Sequence, residues 1–435
     1  MPSCSEVFSM REMKDSGIEW IGEVPKHWEC KKIKNVCSVI GSGTTPTSSN
    51  NEFYEDGVIN WIQSGDIYGK TKLDVVSTLI TKKAIKANKT LKIYTSPFIV
   101  MAMYGGSVGN TAISRIDACT NQACCCLKTN EFNAICFLYY WISMCKVDFL
   151  YKAVGGGQPN ISQEKIKNQI FIGPPLEEQQ RIADFLDEKC GEIDSLTKDI
   201  QEQIATLEEY KKSIITEAVT KGLDPNVEMK DSGIEWIGKV PKEWEVHPVY
   251  FYFGEGKEKN SALKENNLLS LSYGNIVKKD INTNGGLLPA NFTTYNIVRQ
   301  GDIIIRPTDL QNDKRSLRTG LVKERGIITS AYIDLVPNNN VNSRYFHYLL
   351  HSYDISKVFY NMGNGVRQGL NYSEFSKLKV LYPPVKEQQS IADFLDSKCV
   401  EIEASITTKK EQLETLAEYK KSLIYEYVTG KKEVK

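Results

Sequence analysis

The longest regular pattern of apolar and polar positions lies between residues 174 and 220. Apolar residues recur there at steps of mostly three and four, with charged residues between them, which is typical of an amphipathic helix. Pro174 and Pro175 suit its first turn, and Lys221, Gly222 and Pro225 mark its end. The apolar positions are Ile182, Leu186, Ile193, Leu196, Ile200, Ile204, Leu207 and Ile214. Because they form only a narrow stripe, we expect the helix to pack against another helix.

The same pattern occurs a second time, 209 residues further along the chain, at 383–429. PPLEEQQ matches PPVKEQQ, IADFLD occurs in both copies, and EYKKSI matches EYKKSL. The apolar positions of the second copy are Ile391, Leu395, Cys399, Ile402, Ile406, Leu413, Leu416 and Leu423. At about 1.5 Å per residue, some 45 helical residues span roughly 67 Å. The two helices are therefore expected to pair as a rod that holds two globular domains apart.

A second duplicated segment supports an internal repeat. MKDSGIEWIGEVPKHWE at residues 13–29 returns as MKDSGIEWIGKVPKEWE at 229–245; we call each copy an entry motif. The chain thus contains two copies of one unit, made of an entry motif, a globular domain and a long helix. We predict a loose tail at 1–12, a first domain with its entry motif at 13–173, a helix at 174–222, a second domain at 229–382 and a final helix at 383–430.

Each entry motif carries two tryptophans near a proline. Trp20 and Trp28 in the first copy correspond to Trp236 and Trp244 in the second. Because the motif is nearly identical in both copies, it is expected to dock a partner that is present twice. The alternative is that the motif packs on the long helices of its own chain.

The globular regions, about 30–172 and 246–381, are expected to be α+β domains. Each alternates short strand-like runs with turns and contains one helical stretch, NAICFLYYWISMCKVDFLYKAV in the first and RYFHYLLHSYDISKVFYNM in the second. The two domains differ in sequence although their helices and entry motifs are alike. A constant scaffold with variable heads indicates that each head recognises something different.

Several loops of these domains combine glycine with amide, hydroxyl, tyrosine or basic residues. Such residues suit a close approach to phosphates and bidentate contacts with base edges, and they equally suit ordinary tight turns. The candidate DNA-binding residues are Thr44, Thr45, Ser64, Tyr104, Gly105, Gly106, Asn110, Gln158, Asn160, Arg306, Gln311, Lys314, Arg315, Arg318, Arg367 and Gln368.

The distribution of charge is more informative than its sum, which is zero from 54 basic and 54 acidic residues. The two helical segments carry 21 acidic and 11 basic residues, so the remainder holds 33 acidic and 43 basic ones. Basic character is thus concentrated in the globular parts, where a polyanion could bind. The alternative is that acidic helices simply leave a basic remainder.

Residue patterns for catalysis or metal binding are missing. His347 and His351 have the spacing of a zinc helix, but Tyr348 stands where the glutamate of H-E-x-x-H is required. There is no phosphate-binding G-x-x-x-x-G-K-[ST] loop and no adenine-methyltransferase [ND]-P-P-[YF] segment. The 11 cysteines include Cys124-Cys125-Cys126, which has neither disulfide spacing nor the C-x-x-C pair of a zinc site, and this favours mostly buried, reduced thiols in a cytoplasmic protein. No apolar run approaches the ~20 residues that span a bilayer. We therefore expect a non-catalytic chain that binds no cofactor or metal itself.

Two variable domains, each followed by P-P-x-x-E-Q-x-x-I-A-x-F-L-D and a long helix, resemble the specificity subunit of type I restriction-modification enzymes. The G-x-x-Q-x-x-I-S lead-in at Gly155 to Ser162 belongs to the same pattern, whereas the second lead-in, GNGVRQGLN, lacks the Ile-Ser pair. The resemblance covers nearly the whole chain from Met13 onward.

The resemblance implies that the two variable regions are target recognition domains, each binding one half of a bipartite sequence in double-stranded DNA. The two helices would pack antiparallel as a spacer that sets the gap. Two modification subunits would dock on this scaffold and methylate adenine with S-adenosylmethionine, and two restriction subunits would use ATP and magnesium. The alternative is a coiled-coil scaffold whose heads bind proteins rather than DNA.

Overall fold

The computed structural model describes residues 11–131, 134–281, 291–308, 310, 317–338, 340–362 and 369–434. The chain divides into two compact units. The first consists of the chain up to residue 199 together with 412–435, and the second consists of residues 200–411. Each unit therefore contains one globular domain and parts of both long helices.

The first unit is a mixed α/β domain with a five-stranded sheet in the order β4-β11-β8-β9-β6 and a three-stranded sheet in the order β10-β5-β7. Its described strands are β1 (Met13–Asp15), β2 (Glu23–Pro25), β3 (Glu29–Lys32), β4 (Cys37–Gly41), β5 (Ile59–Ile62), β6 (Lys72–Leu73), β7 (Leu79–Ile80), β8 (Phe98–Ala102), β9 (Thr111–Ser114), β10 (Ala118–Thr120), β11 (Cys124–Thr129) and β12 (Ile170–Gly173). Its described helices are α1 (Ile33–Val36), α2 (Lys82–Ala87), α3 (Ile135–Met144), α4 (Lys146–Lys152), α5 (Gln163–Asn168) and α6 (Leu176–Lys221), of which α6 continues into the second unit.

The core of this unit forms where the continuous apolar runs of the sequence pack. All five residues of β8 are buried, and β11 lies beside it with the three consecutive cysteines Cys124, Cys125 and Cys126 fully buried. The helical stretch predicted as one element is two helices, α3 and α4, with Cys145 as the shared cap residue. Strands buried on both faces read as continuous hydrophobic runs, which is why these segments show no alternation.

The second unit has the same class of fold around a four-stranded sheet in the order β16-β23-β20-β21. Its described strands are β13 (Met229–Asp231), β14 (Lys239–Pro241), β15 (Glu245–Pro248), β16 (Phe253–Glu255), β17 (Leu269–Ser272), β18 (Asn275–Lys278), β19 (Asn296–Val298), β20 (Ile303–Ile305), β21 (Thr319–Leu321), β22 (Gly326–Ile328), β23 (Ile333–Pro337) and β24 (Lys379–Tyr382). Its described helices are α7 (Ser343–Ile355), α8 (Tyr372–Phe375) and α9 (Val385–Val428), of which α9 continues into the first unit.

The long helices α6 and α9 pack together, as the sequence pattern predicts. In the first unit, Lys420 Nζ lies 2.6 Å from Asp194 Oδ1. In the second, Lys211 Nζ lies 2.5 Å from Glu403 Oε1. Within each unit the helices run antiparallel, because Phe185 also packs on Tyr427 and the Nζ atom of Lys409 donates to Gln203. The predicted stripe is largely buried, although Leu196 is 47% exposed.

Each entry motif packs at the end of a long helix. In the first unit, a Cβ added at Gly430, which follows α9, would lie 2.4 Å from Pro25 and 3.0 Å from Trp28. In the second, a Cβ added at Gly222, which follows α6, would lie 3.4 Å from Trp244 and 3.8 Å from Pro241. Both glycines have positive φ, +70° and +77°, and such residues commonly end helices. The motif is thus built into the fold of each unit.

One carboxylate fastens each globular domain to its neighbouring long helix. In the first unit, Tyr140 Oη donates to Asp187 Oδ1 at 2.7 Å, and Lys72 Nζ donates to Asp187 Oδ2 at 2.9 Å. In the second, Tyr348 Oη donates to Asp396 Oδ1 at 2.8 Å, and Arg344 Nη1 donates to Asp396 Oδ2 at 2.5 Å. Asp187 and Asp396 are the same position of the repeated IADFLD segment.

The ten cysteines in the described part of the chain are free, and eight of them are buried. Burial raises the pKa of the Cys125 thiol to about 12. A thiol with so high a pKa is a poor nucleophile at neutral pH. None of the described helices is both long and apolar enough to cross a membrane.

A buried carboxyl group in the second unit is an exception to the pairing of buried polar atoms. Asp334 on β23 is 1% exposed, and neither of its carboxylate oxygens has a hydrogen-bond partner among the described residues. Burial, and the nearby carboxylate of Asp302, raise the pKa of Asp334 to about 7. Asp334 is therefore largely protonated in the folded protein well above the pH at which an exposed aspartate ionises.

Replacement Asp334→Asn is expected to remove a pH dependence of stability. Below about pH 4 the carboxyl group is neutral in both states, but between about pH 4 and 7 it ionises only in the unfolded chain, which lowers the free energy of unfolding by a few kcal/mol. The amide does not ionise, so the stability of the variant relative to wild type should rise across this window. Urea unfolding of both proteins at several pH values measures the difference, and a difference independent of pH would contradict the buried, neutral carboxyl.

Candidate nucleic-acid interface

The predicted loops of the first domain meet around a short turn at residues 121–123, between β10 and β11. The backbone N–H of Asn121 donates to the carbonyl of Ile62 at 3.0 Å, just before the turn that contains Ser64. Thr45 Oγ1 donates to Gln122 Oε1 at 2.7 Å. The N–H of Met103 donates to Ala123 O at 2.8 Å, next to Tyr104. Three predicted loops are thus tied to one turn.

The fourth predicted loop joins the same surface. The N–H of Gly105 donates to the carbonyl of Pro159 at 2.7 Å, and Tyr104 pairs with Asn160 through a β-bridge. The side chain of Gln163 also donates to Ser42 Oγ at 2.6 Å. Backbone hydrogen bonds therefore hold the 104–110 and 154–162 loops together, and a side-chain bond links them to the 41–46 loop.

This surface presents groups suited to hydrogen bonding with a partner. The side chains of Thr45, Gln122, Gln158 and Asn160 are exposed, and Tyr104 is 40% exposed. Exposed amides and hydroxyls are the neutral side chains that contact base edges and phosphates in protein–DNA complexes. The remaining predicted residues of the first domain, Thr44, Ser64, Gly105, Gly106 and Asn110, lie in the same loops.

The individual loop residues have different tasks. The carbonyl of Thr44 accepts from Trp61 Nε1 at 3.2 Å, so this residue anchors its loop. Asn110 closes a turn, because its N–H donates to Ser107 O and its carbonyl accepts from Ala102 N. Added Cβ atoms at Gly105 and Gly106 would meet no other atom within 4 Å, so these two glycines border open space.

Sequence reasoning missed the turn that joins these loops. Asn121 and Gln122 stand between two buried strands, and the side chain of Asn121 accepts from the N–H of Ala123 at 3.1 Å. The available signal was an asparagine and a glutamine between two runs of buried residues, which marks a turn at the sheet edge. This sequence signal was weaker than that of the glycine-rich loops, because the 121–123 turn contains no glycine.

The second domain is described in part. Gln311, Lys314, Arg315, Arg367 and Gln368 lie outside the described residues. Arg306 follows β20 and is partly exposed.

Arg318 is not at the surface. Its side chain is 0% exposed, and its Nη1 atom donates to the carbonyl of Thr308 at 2.5 Å. Its backbone N–H donates to Asp354 Oδ2 at 2.5 Å. The expectation that Arg318 contacts DNA is corrected here, because a buried guanidinium that binds backbone carbonyls does not reach a phosphate.

Comparison with known proteins identifies the family. The family model described as the type I restriction modification DNA specificity domain matches twice, at residues 25–206 and 258–415, which together are most of the chain. The chain belongs to this family. It is therefore a DNA specificity subunit of a type I restriction-modification system, a non-catalytic component, and its two globular domains are target recognition domains.

Relatives of this specificity subunit match either nearly its full length or about half of it. A protein described as the specificity subunit of the type I restriction enzyme MjaX of Methanocaldococcus jannaschii is 25% identical over 429 residues, covering 95% of this chain and 96% of its own. The specificity subunit of the Escherichia coli enzymes EcoR124I and EcoR124II is 27% identical over 195 residues, covering 43% and 44% of the two chains.

Solved structures share the fold. A chain from a structural study of complex assembly and conformational transition of the type I R-M system matches with a TM-score of 0.69 at 15% identity, covering 94% of this chain and 99% of its own. The HsdS subunit from Thermoanaerobacter tengcongensis matches with a TM-score of 0.51 at 15% identity, covering 94% and 98% of the two chains.

The four tryptophans of the specificity subunit's entry motifs fall into two classes. Trp28 and Trp244 are 0% exposed, and Trp244 Nε1 donates to Glu387 Oε2 at 3.0 Å. The expectation that these two dock a partner is corrected, because each is buried within its own unit. Trp20 and Trp236 are 41% and 39% exposed, so they remain candidates for docking.

The two histidines of HYLLH lie on α7 of the second target recognition domain. Burial lowers the pKa of His347 to about 3 and that of His351 to about 4, so both rings are neutral at physiological pH. In the part of the chain that the structure describes, no three potential metal ligands are grouped closely enough to hold an ion. Both residues are partly buried.

Replacement Gly43→Ala is expected to separate the 41–46 loop from the 120–122 segment. A Cβ at residue 43 would lie 1.8 Å from the carbonyl oxygen of Thr120, so the loop must move, at a cost on the order of 1–3 kcal/mol. Hydrogen exchange should accelerate in both segments.

Gly65→Ala is the matched control, because no atom lies within 4 Å of its added Cβ. Unchanged exchange in Gly43→Ala would contradict the close packing of this loop on the turn.

Proposed function

We propose that each target recognition domain binds one half of a bipartite DNA sequence, while α6 and α9 set the gap between the halves. The observation that carries the proposal is the meeting of exposed amide, hydroxyl and tyrosine side chains from separate loops on one surface of the first domain. Side chains from several loops together can select a sequence that no single loop specifies.

The two copies of the repeat support this division of tasks. The entry motifs are nearly identical and the long helices share the PP, IADFLD and EYKKS segments, whereas the loops of the two domains differ in sequence. A bipartite target needs two different reading surfaces and one constant scaffold. We retain 13–173 and 229–382 as the recognition domains with their entry motifs, and 174–222 and 383–430 as the spacer helices.

Assembly is the second part of the proposal. Two modification subunits dock on the scaffold, with Trp20 and Trp236 at the contact, and methylate adenine with S-adenosylmethionine. Two restriction subunits that use ATP and magnesium complete the enzyme, which acts on DNA in the cytoplasm. The structural neighbour with the TM-score of 0.69 comes from a study of the complex assembly of a type I system, which supports this part.

DNA distortion follows from the chemistry of the assembled enzyme. An adenine inside a duplex cannot reach a methyltransferase active site unless it leaves the base stack, and this costs a few kcal/mol. Recognition loops that hold the duplex at two places help to supply that energy. The specificity subunit thus selects the site and also secures the flanking DNA.

A map of N6-methyladenine across the genome tests the proposal. Cells that express this chain together with a modification subunit of its system should methylate a split motif with a constant gap. Cells that lack either protein should not methylate that motif. If the two proteins co-purify and the map is unchanged, the heads do not read DNA, and the alternative of a protein-binding scaffold would take its place.

Lengthening both helices should change the gap and preserve the half-sites. One heptad inserted after Ile200, with a second heptad at the facing position of α9, lengthens each helix by about 10 Å, roughly the rise of three base pairs. The methylated motif of the variant should have a wider spacer. A heptad in α6 alone is the control, because it breaks the pairing of the apolar stripes and should abolish methylation. Altered half-sites in the double insertion would refute the spacer role.

A further inference from the structure

A lysine-rich segment follows β7 in the first target recognition domain and is absent from the candidate DNA-binding residues. We propose that Lys82, Lys86, Lys89 and Lys92, here called the lysine edge, bind the phosphate backbone of DNA beside the base-reading loops. The inference rests on the proposed function, since it assumes that this domain binds a duplex. It adds a second contact surface with a different chemical task.

The charge of the segment is of one sign. Residues 81–94 contain five lysines and no acidic residue, and all five lysine side chains are exposed. Lys83 lies 3.5 Å from the carboxylate of Glu52. None of the four lysines of the lysine edge makes an ion pair with a described residue. Four exposed ammonium groups are thus available to a polyanion.

The segment is held in place by its caps and by buried side chains. Thr81 Oγ1 accepts from the N–H of Ala84 at 3.3 Å, and the side chain of Asn88 donates to the carbonyl of Ala84 at 2.8 Å. Ala84 and Leu91 belong to a small core with Trp61. Lysines three and four residues apart on α2 repel each other, and this repulsion is relieved when phosphates lie between them.

The start of the segment is connected to the predicted recognition loop at 41–46. Thr81 Oγ1 donates to the carbonyl of Glu52 at 2.8 Å, and its N–H donates to Phe53 O at 3.0 Å. The next residue, Tyr54, donates through its hydroxyl to the carbonyl of Pro46 at 2.7 Å. Pro46 follows Thr45, which contacts Gln122 at the centre of the candidate interface.

The end of the segment reaches the same loop by another route. Tyr94 stands two residues after Lys92, and its hydroxyl donates to the carbonyl of Ser42 at 3.3 Å. Its backbone exchanges hydrogen bonds with Ala118, at 2.8 and 3.1 Å, so its position is fixed by the sheet. Both ends of the lysine segment are therefore tied to the loop that carries Thr44 and Thr45.

This placement assigns the lysine edge its role. Neutral amides and hydroxyls read bases but add little long-range attraction, whereas lysines contribute affinity that does not depend on sequence. Phosphates adjoin every base pair, so a duplex whose bases face the 41–46 loop exposes its backbone to the neighbouring surface. The lysine edge then fixes the register of the duplex while the loops select the sequence.

Two acidic residues allow the opposite change in charge to be tested, because their removal should strengthen DNA binding. Glu55 and Asp56 are exposed in the 51–57 segment, next to the residues that connect it to Thr81. Their negative charges oppose the binding of phosphates near them. Asp56 has a positive φ of 54°, which asparagine tolerates well, so Asp56→Asn should preserve the turn.

The experiment measures binding of fluorescent duplexes to the full chain with its modification subunit, between about 50 and 200 mM salt. One duplex carries the split motif identified by the methylation map, and the other carries a scrambled version of that motif. The slope of log K against log salt is negative. In the variant with Lys82→Gln, Lys86→Gln, Lys89→Gln and Lys92→Gln, the magnitude of this slope should decrease by about 3 to 4 for both duplexes. The motif that this variant methylates in the genome-wide map should be the same as that of the wild-type protein.

Two further variants make the result specific. Lys198→Gln, Lys212→Gln, Lys410→Gln and Lys421→Gln remove the same charge from exposed positions of the long helices and should leave the slope unchanged. Glu55→Gln with Asp56→Asn should strengthen binding to both duplexes. Thermal unfolding of each variant shows whether the fold is retained, and glutamine preserves helix propensity.

Three outcomes would overturn the inference. An unchanged salt slope would mean that the lysine edge does not meet phosphates. A loss confined to the target duplex, or a changed motif, would make these lysines base-reading residues instead. A wild-type complex that binds neither duplex would refute the proposed function and this inference together, and it is recognised without any variant.

Discussion

In each target recognition domain, one carboxylate of the neighbouring long helix holds two side chains of the domain and supplements the apolar core that the helix shares with it. Asp187 in the first unit and Asp396 in the second accept a tyrosine hydroxyl on one oxygen and a cationic side chain on the other. Hydrogen bonds to an ionised acceptor are stronger than neutral ones, and the partly buried tyrosine would lose its partner if the carboxylate were absent. The cation is a lysine from β6 in one domain and an arginine from α7 in the other. The same aspartate of the repeat can therefore bind domains whose sequences differ.

Sequence patterns predict the repeat and the long helices well, because their periodicity is local. The surfaces on which Trp28 and Trp244 pack could not be predicted from such local patterns. An amphipathic segment packs equally well on a partner or on its own chain, and the surface that buries Trp28 lies at Gly430, about 400 residues away in sequence. Only the three-dimensional path of the chain decides between them.

The candidate interface was predictable in composition and not in arrangement. Glycine-rich loops with amides were recognised, and the structure brings those of the first domain together. Gln122 was missed because a short turn between buried strands carries a weak signal, although Thr45 contacts it. Arg318 was misjudged because a basic loop suggests exposure, whereas its guanidinium binds the carbonyl of Thr308 in the interior. The lysine edge was not recognised from the sequence, because a lysine-rich helix is common on protein surfaces. Only the structure shows that this one is connected to the recognition loop at 41–46.

The division of the long helices between the units affects the order in which the protein folds during synthesis. The second unit comprises the continuous segment 200–411, whereas the first requires residues 412–428 of α9, including Leu423 and Val428 in its core. Domains usually fold from the N-terminus onward as the ribosome releases them. Here the second unit has all its residues before the first, so the first gains Leu423 and Val428 of its core only when the end of α9 emerges. A ribosome that stops within the last turns of α9 would therefore leave the earliest part of the chain incomplete.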